Sequence, residues 1–371
     1  MDSRVQRAAN HDLPTPGLTV GGAAGIPSAV RRERGTRGRA IVADTRFDVV
    51  GMGNAMVDVI AHADEAFLVA YGLTKGAMTL IDAGRAEELY ALMPPAVEVS
   101  GGSAGNTMAA LASLGGRGAY IGKVNGDQLG QVFRHDIRAA GVAFDVPSAR
   151  SGSPTGRCLI VVTPDAQRTM QTFLGAGTEL EPEDVEPELI AGSQVTYMEG
   201  YLWDPPGAKQ AFLKSARIAH NAGRKVSISL SDPFCVERHR EEFLDLVEHH
   251  VDILFANEHE IMSLYRTRTF DEALQHVRSK CEVAALTRSE KGSVVVAGDE
   301  VHVIDAEPVA HVVDSTGAGD AYAAGFLYGL TRGMPLAACG RVGGIAAAEV
   351  ISHVGARPEE PLAELVRRKL G

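Results

Sequence analysis

The stretch that decides the reading is Asp314-Ser315-Thr316-Gly317-Ala318-Gly319-Asp320, followed by the small, apolar run Ala321-Tyr322-Ala323-Ala324-Gly325-Phe326-Leu327-Tyr328-Gly329-Leu330. It reads as a strand end at His311-Val312-Val313, a tight glycine turn, and the first turn of a buried helix. Glycines let a backbone turn sharply and bring its N–H groups close to a ligand. The start of a helix leaves those N–H groups unpaired at a positive dipole end, which favours an anion. An acid at that point, here Asp320, is either an electrostatic cap or a working base. The small residues of the helix imply close packing on both sides.

Outward from this stretch the chain reads as alternating strands and helices. From residue 190 onward the order is strand 194–198, helix 207–222, strand 225–229, helix 237–249, strand 251–256 and helix 258–265. Helix 270–279, strand 283–287 and a hairpin over 293–297 and 300–304 follow, and helices 321–332 and 336–352 close the domain. Such alternation predicts an α/β fold with a doubly covered, mostly parallel sheet. Upstream, Arg46–Gly51 reads as a first buried strand. Two polar-faced strands, near 54–62 and 76–82, come before any βα rhythm and predict a small separate sheet, and 157–163 with 168–173 reads as a hairpin. The segment 97–100 reads only as the approach to a glycine-rich loop, Gly101-Gly102-Ser103-Ala104-Gly105-Asn106, with an apolar helix over 108–114 beyond it.

Composition bounds the rest. At 371 residues, 45% hydrophobic and 22% charged, the chain has the make-up of a globular protein. Its apolar runs are too short and broken to span a membrane. Four scattered cysteines, with no C-x-x-C pair, argue for free thiols in a reducing compartment, and so for a cytoplasmic protein rather than a disulfide or zinc scaffold. A net charge of −11 argues against nonspecific nucleic-acid binding. Residues 1–39 hold seven arginines against three acids. Rich in Gly, Pro and Ala, residues 1–45 read as a disordered basic leader: a flexible tail, a targeting segment or an overextended start.

Other motifs are weaker taken singly. Gly51-Met52-Gly53-Asn54 lacks a third glycine and leads into a strand, which fails the requirements of a dinucleotide site. No G-x-x-x-x-G-K-[ST] occurs, and no protein-kinase motif set. Asn54 and Asp58 are polar residues just past a buried strand, where α/β sheets bind ligands; turn chemistry explains them equally well. Asn257 and Glu260 follow an apolar strand one helical turn apart. They read either as oxygen donors around a hydrated Mg²⁺ or as a reciprocal helix cap.

Taken together, the motifs resemble the ribokinase-type (PfkB) family of carbohydrate and nucleoside kinases. Asp314–Asp320 matches its D-[TS]-T-G-A-G-D signature, Gly101–Asn106 its N-terminal glycine signature, and Asn257-Glu258-His259-Glu260 its N-x-x-E element, in the family's order. The resemblance spans residues 46–360. It implies a ribokinase-like fold over 46–371, in which the strands at 56–82 and 157–173 form a β-sheet lid. It implies ATP-dependent phosphorylation of a primary hydroxyl, with Asp320 as general base and Gly317, Ala318 and Gly319 as the anion hole. Asn257 and Glu260 would organise Mg²⁺ through water. Thr287-Arg288-Ser289-Glu290-Lys291-Gly292 falls where the family has T-x-G-x-x-G, so Thr287, Ser289 and Gly292, with Asn257 and Asp314, become the nucleotide-binding candidates; Ser289 stands in place of the first glycine. Arg168 in the hairpin reads as a solvated arginine within reach of phosphate.

Gly53-Asn54-Ala55-Met56-Val57-Asp58 resembles the G-N-x-x-x-D opening of the family's adenosine kinases. That makes Asn54, Asp58, Gly101, Gly102 and Asn106 the substrate-binding candidates, adenosine the expected acceptor, and Phe173, Tyr201 or Trp203 the candidates for a base-stacking surface. A sugar kinase acting on ribose or fructose, a kinase of another nucleoside, and a catalytically silent sensor on the same fold are the alternatives. The expected partner is a small molecule, with no nucleic acid and no membrane. Monomer or homodimer, and dependence on a monovalent cation, stay open.

Overall fold

The computed structural model describes residues 45–165 and 167–371. The leader expected over 1–45 therefore lies, apart from Thr45, outside the described residues.

The strands are β1 (Phe47–Met52), β2 (Met56–His62), β3 (Met78–Leu80), β4 (Ala96–Gly101), β5 (Gly118–Ile121), β6 (Gly156–Val162) and β7 (Arg168–Phe173), then β8 (Ser193–Glu199), β9 (Lys225–Ser229), β10 (Ile253–Asn257), β11 (Val283–Thr287), β12 (Ser293–Ala297) and β13 (Glu300–Ile304). They form an eight-stranded sheet in the order β13-β12-β11-β10-β9-β8-β1-β5 and a five-stranded sheet in the order β3-β7-β6-β2-β4. In the large sheet β5, β1 and β8 to β11 run parallel, and the hairpin of β12 and β13 closes one edge antiparallel. Every residue of β1 and β8 is buried, because helices cover both faces of the sheet. This is the doubly covered α/β sheet with a smaller second sheet that the alternation predicts.

Strand order turns at β1. The chain leaves β1 into the small sheet, returns to β5 on one side of it, and later to β8 on the other. A crevice opens at such a turning point, outside the carboxyl ends of the strands. Gly53-Asn54 after β1, Glu199 at the end of β8, Asn257 at the end of β10 and Thr287 at the end of β11 all stand on that edge.

Three elements differ from the sequence reading. β4 pairs antiparallel with β2 from Met56–Gly101 to Ala61–Ala96, so residues 96–101 belong to the small sheet and are more than an approach to the glycine loop. The free edge of β2 recruits them, and that edge exists only in three dimensions. His311–Val313 is not a strand: β13 already closes the sheet, Val312 is 62% exposed, and Val313 N donates to Ile351 O at 2.8 Å. A final helix, Leu362–Leu370, follows where the reading stops at 352; it buries Leu362 and Leu365.

The helix Ala318–Thr331 packs against Leu336–Val350, and the expected need for small residues is met there. A Cβ on Gly325 would lie 2.7 Å from Gly343 Cα. Trp203 is fully buried, donates its indole N–H to Glu242 at 2.6 Å and sits beside Phe212 and Phe243, which removes it as a stacking platform.

Candidate active site

The glycine turn sets the position of Asp320. Gly317 is the N-cap of the helix Ala318–Thr331 with φ 77°, a left-handed conformation that disfavours any side chain; a Cβ there would also meet Ala356 O at 2.8 Å. Asp320 is consequently the third residue of the helix, on its positive end. The Ala318 amide turns back to Ser315 O at 3.3 Å, whereas the Gly319 and Asp320 amides have no backbone acceptor among the described residues. The space over Gly319, where a Cβ would point, is open.

Across from this turn lies the glycine loop. Gly102 has φ 84°, and a Cβ on it would fall 2.1 Å from Asn54 O, so only glycine admits this approach of the two backbones. The loop starts the helix Ser103–Ser113, five residues earlier than its apolar run begins. Ser103 Oγ donates to Asp320 Oδ1 at 2.6 Å, and Asn106 Nδ2 donates to Oδ2 at 3.3 Å. Burial pushes the Asp320 carboxyl up to about 6, against these hydrogen bonds and the Arg357 charge, with Asp58 adding to the rise. A carboxylate near 6 is ionised at neutral pH yet basic enough to accept a proton.

Asp58 reaches into the same crevice from β2. A Cβ on Gly101 would lie 2.4 Å from the Asp58 Cγ, so the carboxyl rests on the bare backbone of that glycine. Burial pushes Asp58 up to about 6 as well, opposed by Arg357 and Arg168. No hydrogen bond to its carboxylate is made among the described residues, which leaves it open to an external donor.

Glu199, 1% exposed and within electrostatic reach of Asp320, accepts from Asn54 Nδ2 at 2.7 Å and from Ala104 N at 2.9 Å. It joins the end of β1 to the start of the glycine-loop helix, and burial pushes its carboxyl up to about 7. Asn54 itself is 2% exposed, and its Oδ1 is buried without a partner among the described residues.

Asp314 accepts from Thr316 N at 3.0 Å and Gly355 N at 2.9 Å, and pairs with Arg168 Nη1 at 2.5 Å. Arg168 comes from β7 in the small sheet. It is 10% exposed and ion-paired, not the solvated arginine of the sequence reading.

Asn257 and Glu260 form the reciprocal cap: Glu260 N donates to Asn257 Oδ1 at 2.9 Å, and Asn257 N donates to Glu260 Oε2 at 2.9 Å. Burial pushes Glu260 up to about 7, with Asp232 and Asp320 adding to the rise. Among the described residues no group of three or more His, Cys, Asp or Glu could hold a metal directly. Asn257 Nδ2 also donates to Glu260 Oε1 at 2.6 Å, so the oxygens of the pair are already engaged and a cation would be met through water, in a field made negative by Asp232 and Asp320. Thr287 ends β11, and Ser289, where the family's signature has glycine, adopts φ 51° all the same. Gly292 has φ 79°, with a Cβ there only 2.0 Å from Ile304 O.

The structure thus gathers Asn54, Asp58, Gly101, Gly102, Asn106 and Asp320 around one crevice. Thr287 and Asn257 stand along the same sheet edge, and Glu260 is in electrostatic reach of Asp320. Ser103, Glu199 and Arg357 join the site without having been singled out in the sequence. Glu199 had a signal, an acid closing the apolar run Val195-Thr196-Tyr197-Met198; Arg357 had none.

The pfkB family of carbohydrate kinases matches this chain over residues 65–362, and the chain belongs to this family. It is a phosphotransferase with an alcohol group as acceptor, on a ribokinase-like fold, and membership of a kinase family implies ATP as donor. Among solved structures it resembles the adenosine kinase from Sinorhizobium meliloti, at 54% identity and TM-score 0.81 over 87% of this chain and 99% of that one. It also resembles a probable sugar kinase from Rhizobium etli CFN 42, at 52% identity and TM-score 0.81 over 88% and 99%. A curated relative, the adenosine kinase of Saccharomyces cerevisiae, is 26% identical over 83% of this chain and 95% of its own length. Among the described residues no helix is long and apolar enough to cross a membrane.

Proposed function

We propose that this protein phosphorylates the 5′-hydroxyl of adenosine to AMP with ATP as donor. The observation that carries the phosphoryl transfer is Asp320, held at the start of a glycine-capped helix by Ser103 and Asn106. The choice of adenosine is supported by the likeness to the S. meliloti enzyme over nearly the whole of both chains.

In this reading Asp58, assisted by Asn54 and the backbone of Gly101 and Gly102, takes the ribose hydroxyls. Asp320 accepts the proton of the 5′-hydroxyl as its oxygen forms a bond to the γ-phosphorus and the bond from that phosphorus to the bridging oxygen of ADP breaks. Phosphoryl transfer asks for positioning and charge neutralisation more than covalent help. The Gly317–Gly319 turn supplies both, through the amide of Gly319 and the helix dipole. Asn257 and Glu260 would hold a hydrated Mg²⁺, whose chemistry is to neutralise the phosphates. Thr287, Ser289 and Gly292 line the nucleotide end, and Asp314 shapes the turn. The small sheet acts as a lid, with Arg168 as its tie to Asp314. Four free cysteines accord with a cytoplasmic setting.

The acceptor is tested by ATP consumption with adenosine, inosine, ribose and fructose. Adenosine is expected to exceed ribose and fructose in kcat/KM by about 10²-fold or more, the scale set by losing the contacts of a whole base. A higher kcat/KM for either sugar would overturn the assignment in favour of a sugar kinase, the reading supported by the R. etli relative.

A second test addresses Asp58. Gly101→Ala puts a methyl group where the Asp58 carboxyl sits, 2.4 Å from its Cγ. Displacing the acid is expected to raise KM for adenosine by about 10–100-fold, the equivalent of one charged hydrogen bond, while KM for ATP stays within about twofold. An equal rise in both constants would tell against Asp58 as an acceptor contact.

A further inference from the structure

One charged group at the site has no role in the reaction as written. Arg357 lies between the helices Leu336–Val350 and Leu362–Leu370, more than 250 residues from the glycine loop it touches. Its Nε donates to Asn106 Oδ1 at 3.0 Å, and its Nη2 donates to the Ser100 carbonyl and, at 2.8 Å, to Ser100 Oγ.

The consequence lies in the amide of Asn106, which has one accepting and one donating end. A guanidinium only donates, so it engages Oδ1 and turns Nδ2 to the opposite side, where it meets Asp320 Oδ2 at 3.3 Å. The reverse orientation would set two donors together at Arg357 and two acceptors together at Asp320. Because a guanidinium keeps its proton across the working pH range, it imposes this orientation throughout.

Charge acts in the same direction. Asp320 is faced by Ser103 and Asn106 from the glycine-loop helix, by Asp58 from β2 and by Arg357. Tyr197 and Glu199 from β8, Tyr201 beyond it and Glu260 from the cap also feel its charge. Arg357 is the cation in that set, and it acts on Asp58 as well.

We propose that Arg357 is a positioning residue of this site, which aligns the base Asp320 through the Asn106 amide and balances the paired acids Asp58 and Asp320 with its charge. The inference rests on the reading of Asp320 as general base.

The test combines a titration with kinetics on the full-length protein. Aspartate labelled at its carboxyl carbon is followed by NMR, and the Asp320 signal is assigned by its loss in Asp320→Asn. Arg357→Met is expected to move the Asp320 midpoint up by about 1 pH unit, the scale of one neighbouring charge. The acidic limb of kcat/KM should rise with it. A carboxyl that protonates more readily is lost as a base at higher pH, so the sign is fixed. In the same variant kcat at neutral pH should fall about tenfold or more, with the ATP Kd within about twofold. Arg357→Lys, which keeps the charge but loses the Nε contact, is expected to hold the limb near its original place while kcat falls severalfold.

An unmoved Asp320 midpoint in Arg357→Met overturns the inference, whatever the activity. Should that variant not fold, full kcat in Arg357→Lys overturns the alignment through Asn106. If the unaltered protein phosphorylates neither adenosine nor a sugar, the general-base reading fails, and the titration alone still decides whether Arg357 governs Asp320.

Discussion

Asp320→Asn is expected to lower kcat by about 10²–10⁴-fold while ATP and adenosine still bind, because it removes general-base catalysis and leaves the pocket its shape. The isostere keeps an oxygen for Ser103 Oγ, now 2.6 Å from Asp320 Oδ1. On the other side its new amide would face Asn106 Nδ2, two donors together, so a further part of the loss comes from alignment. The pH profile separates the two. In the unaltered protein kcat/KM should fall as pH drops through about 6, where Asp320 takes up a proton. The variant should lose that limb, apart from any contribution of Asp58, which titrates in the same region. Turnover within about tenfold of the unaltered protein, with binding measured by calorimetry, would refute Asp320 as the base.

Asp314→Ala is expected to have the largest effect on stability. The pair it forms with Arg168 is almost wholly buried, with side chains 8% and 10% exposed. Removing one partner of such a pair leaves the other charge unpaired away from water, at a cost of about 3–5 kcal/mol. The same change frees the amides of Thr316 and Gly355 and loosens the turn before Gly317. Denaturant unfolding should register the loss. Burial raises the Asp314 carboxyl, but the hydrogen bonds from Gly355 and Thr316 and the Arg168 charge outweigh it and hold the group below the usual carboxylate range. Its stabilisation is therefore present above the unfolded carboxylate's pKa and lost as pH falls through the lower folded value. The Asp314→Ala variant should accordingly show a flatter loss of stability on acidification. A change below about 1 kcal/mol would mean that the pair contributes no more than an exposed one.

The Asp314–Arg168 pair also shows where a linear reading stops. Asp314 is visible in the signature, and its place beside a glycine turn follows from local chemistry. Arg168 is a hairpin residue like many others in the sequence, and only the meeting of the small sheet with the helix start turns it from a solvated arginine into a buried partner. The Asn257–Glu260 element is a related case. Its spacing admits a cap or a cation pair, and the observed hydrogen bonds realise the cap, engaging both Glu260 oxygens and the Asn257 Oδ1.

What the sequence determined by itself is local and periodic. The βα alternation settles the large sheet, since a strand buried on both faces and a helix with one apolar face have few other arrangements. The glycines at 102 and 317 mark sharp turns, and the helix read from 321 puts Asp320 at its positive dipole start without reference to any distant residue. Tertiary structure alone decided the rest: the recruitment of 96–101 to the free edge of β2, the burial of Trp203, and the approach of Ser103, Glu199 and Arg357 to the acids. The pairing along β2 joins residues 35 to 45 positions apart, and the contacts of Ser103, Glu199 and Arg357 join residues 95 to more than 250 apart. No short-range pattern encodes such contacts, because a buried carboxylate can take its balancing donors from whichever segment the fold brings past it.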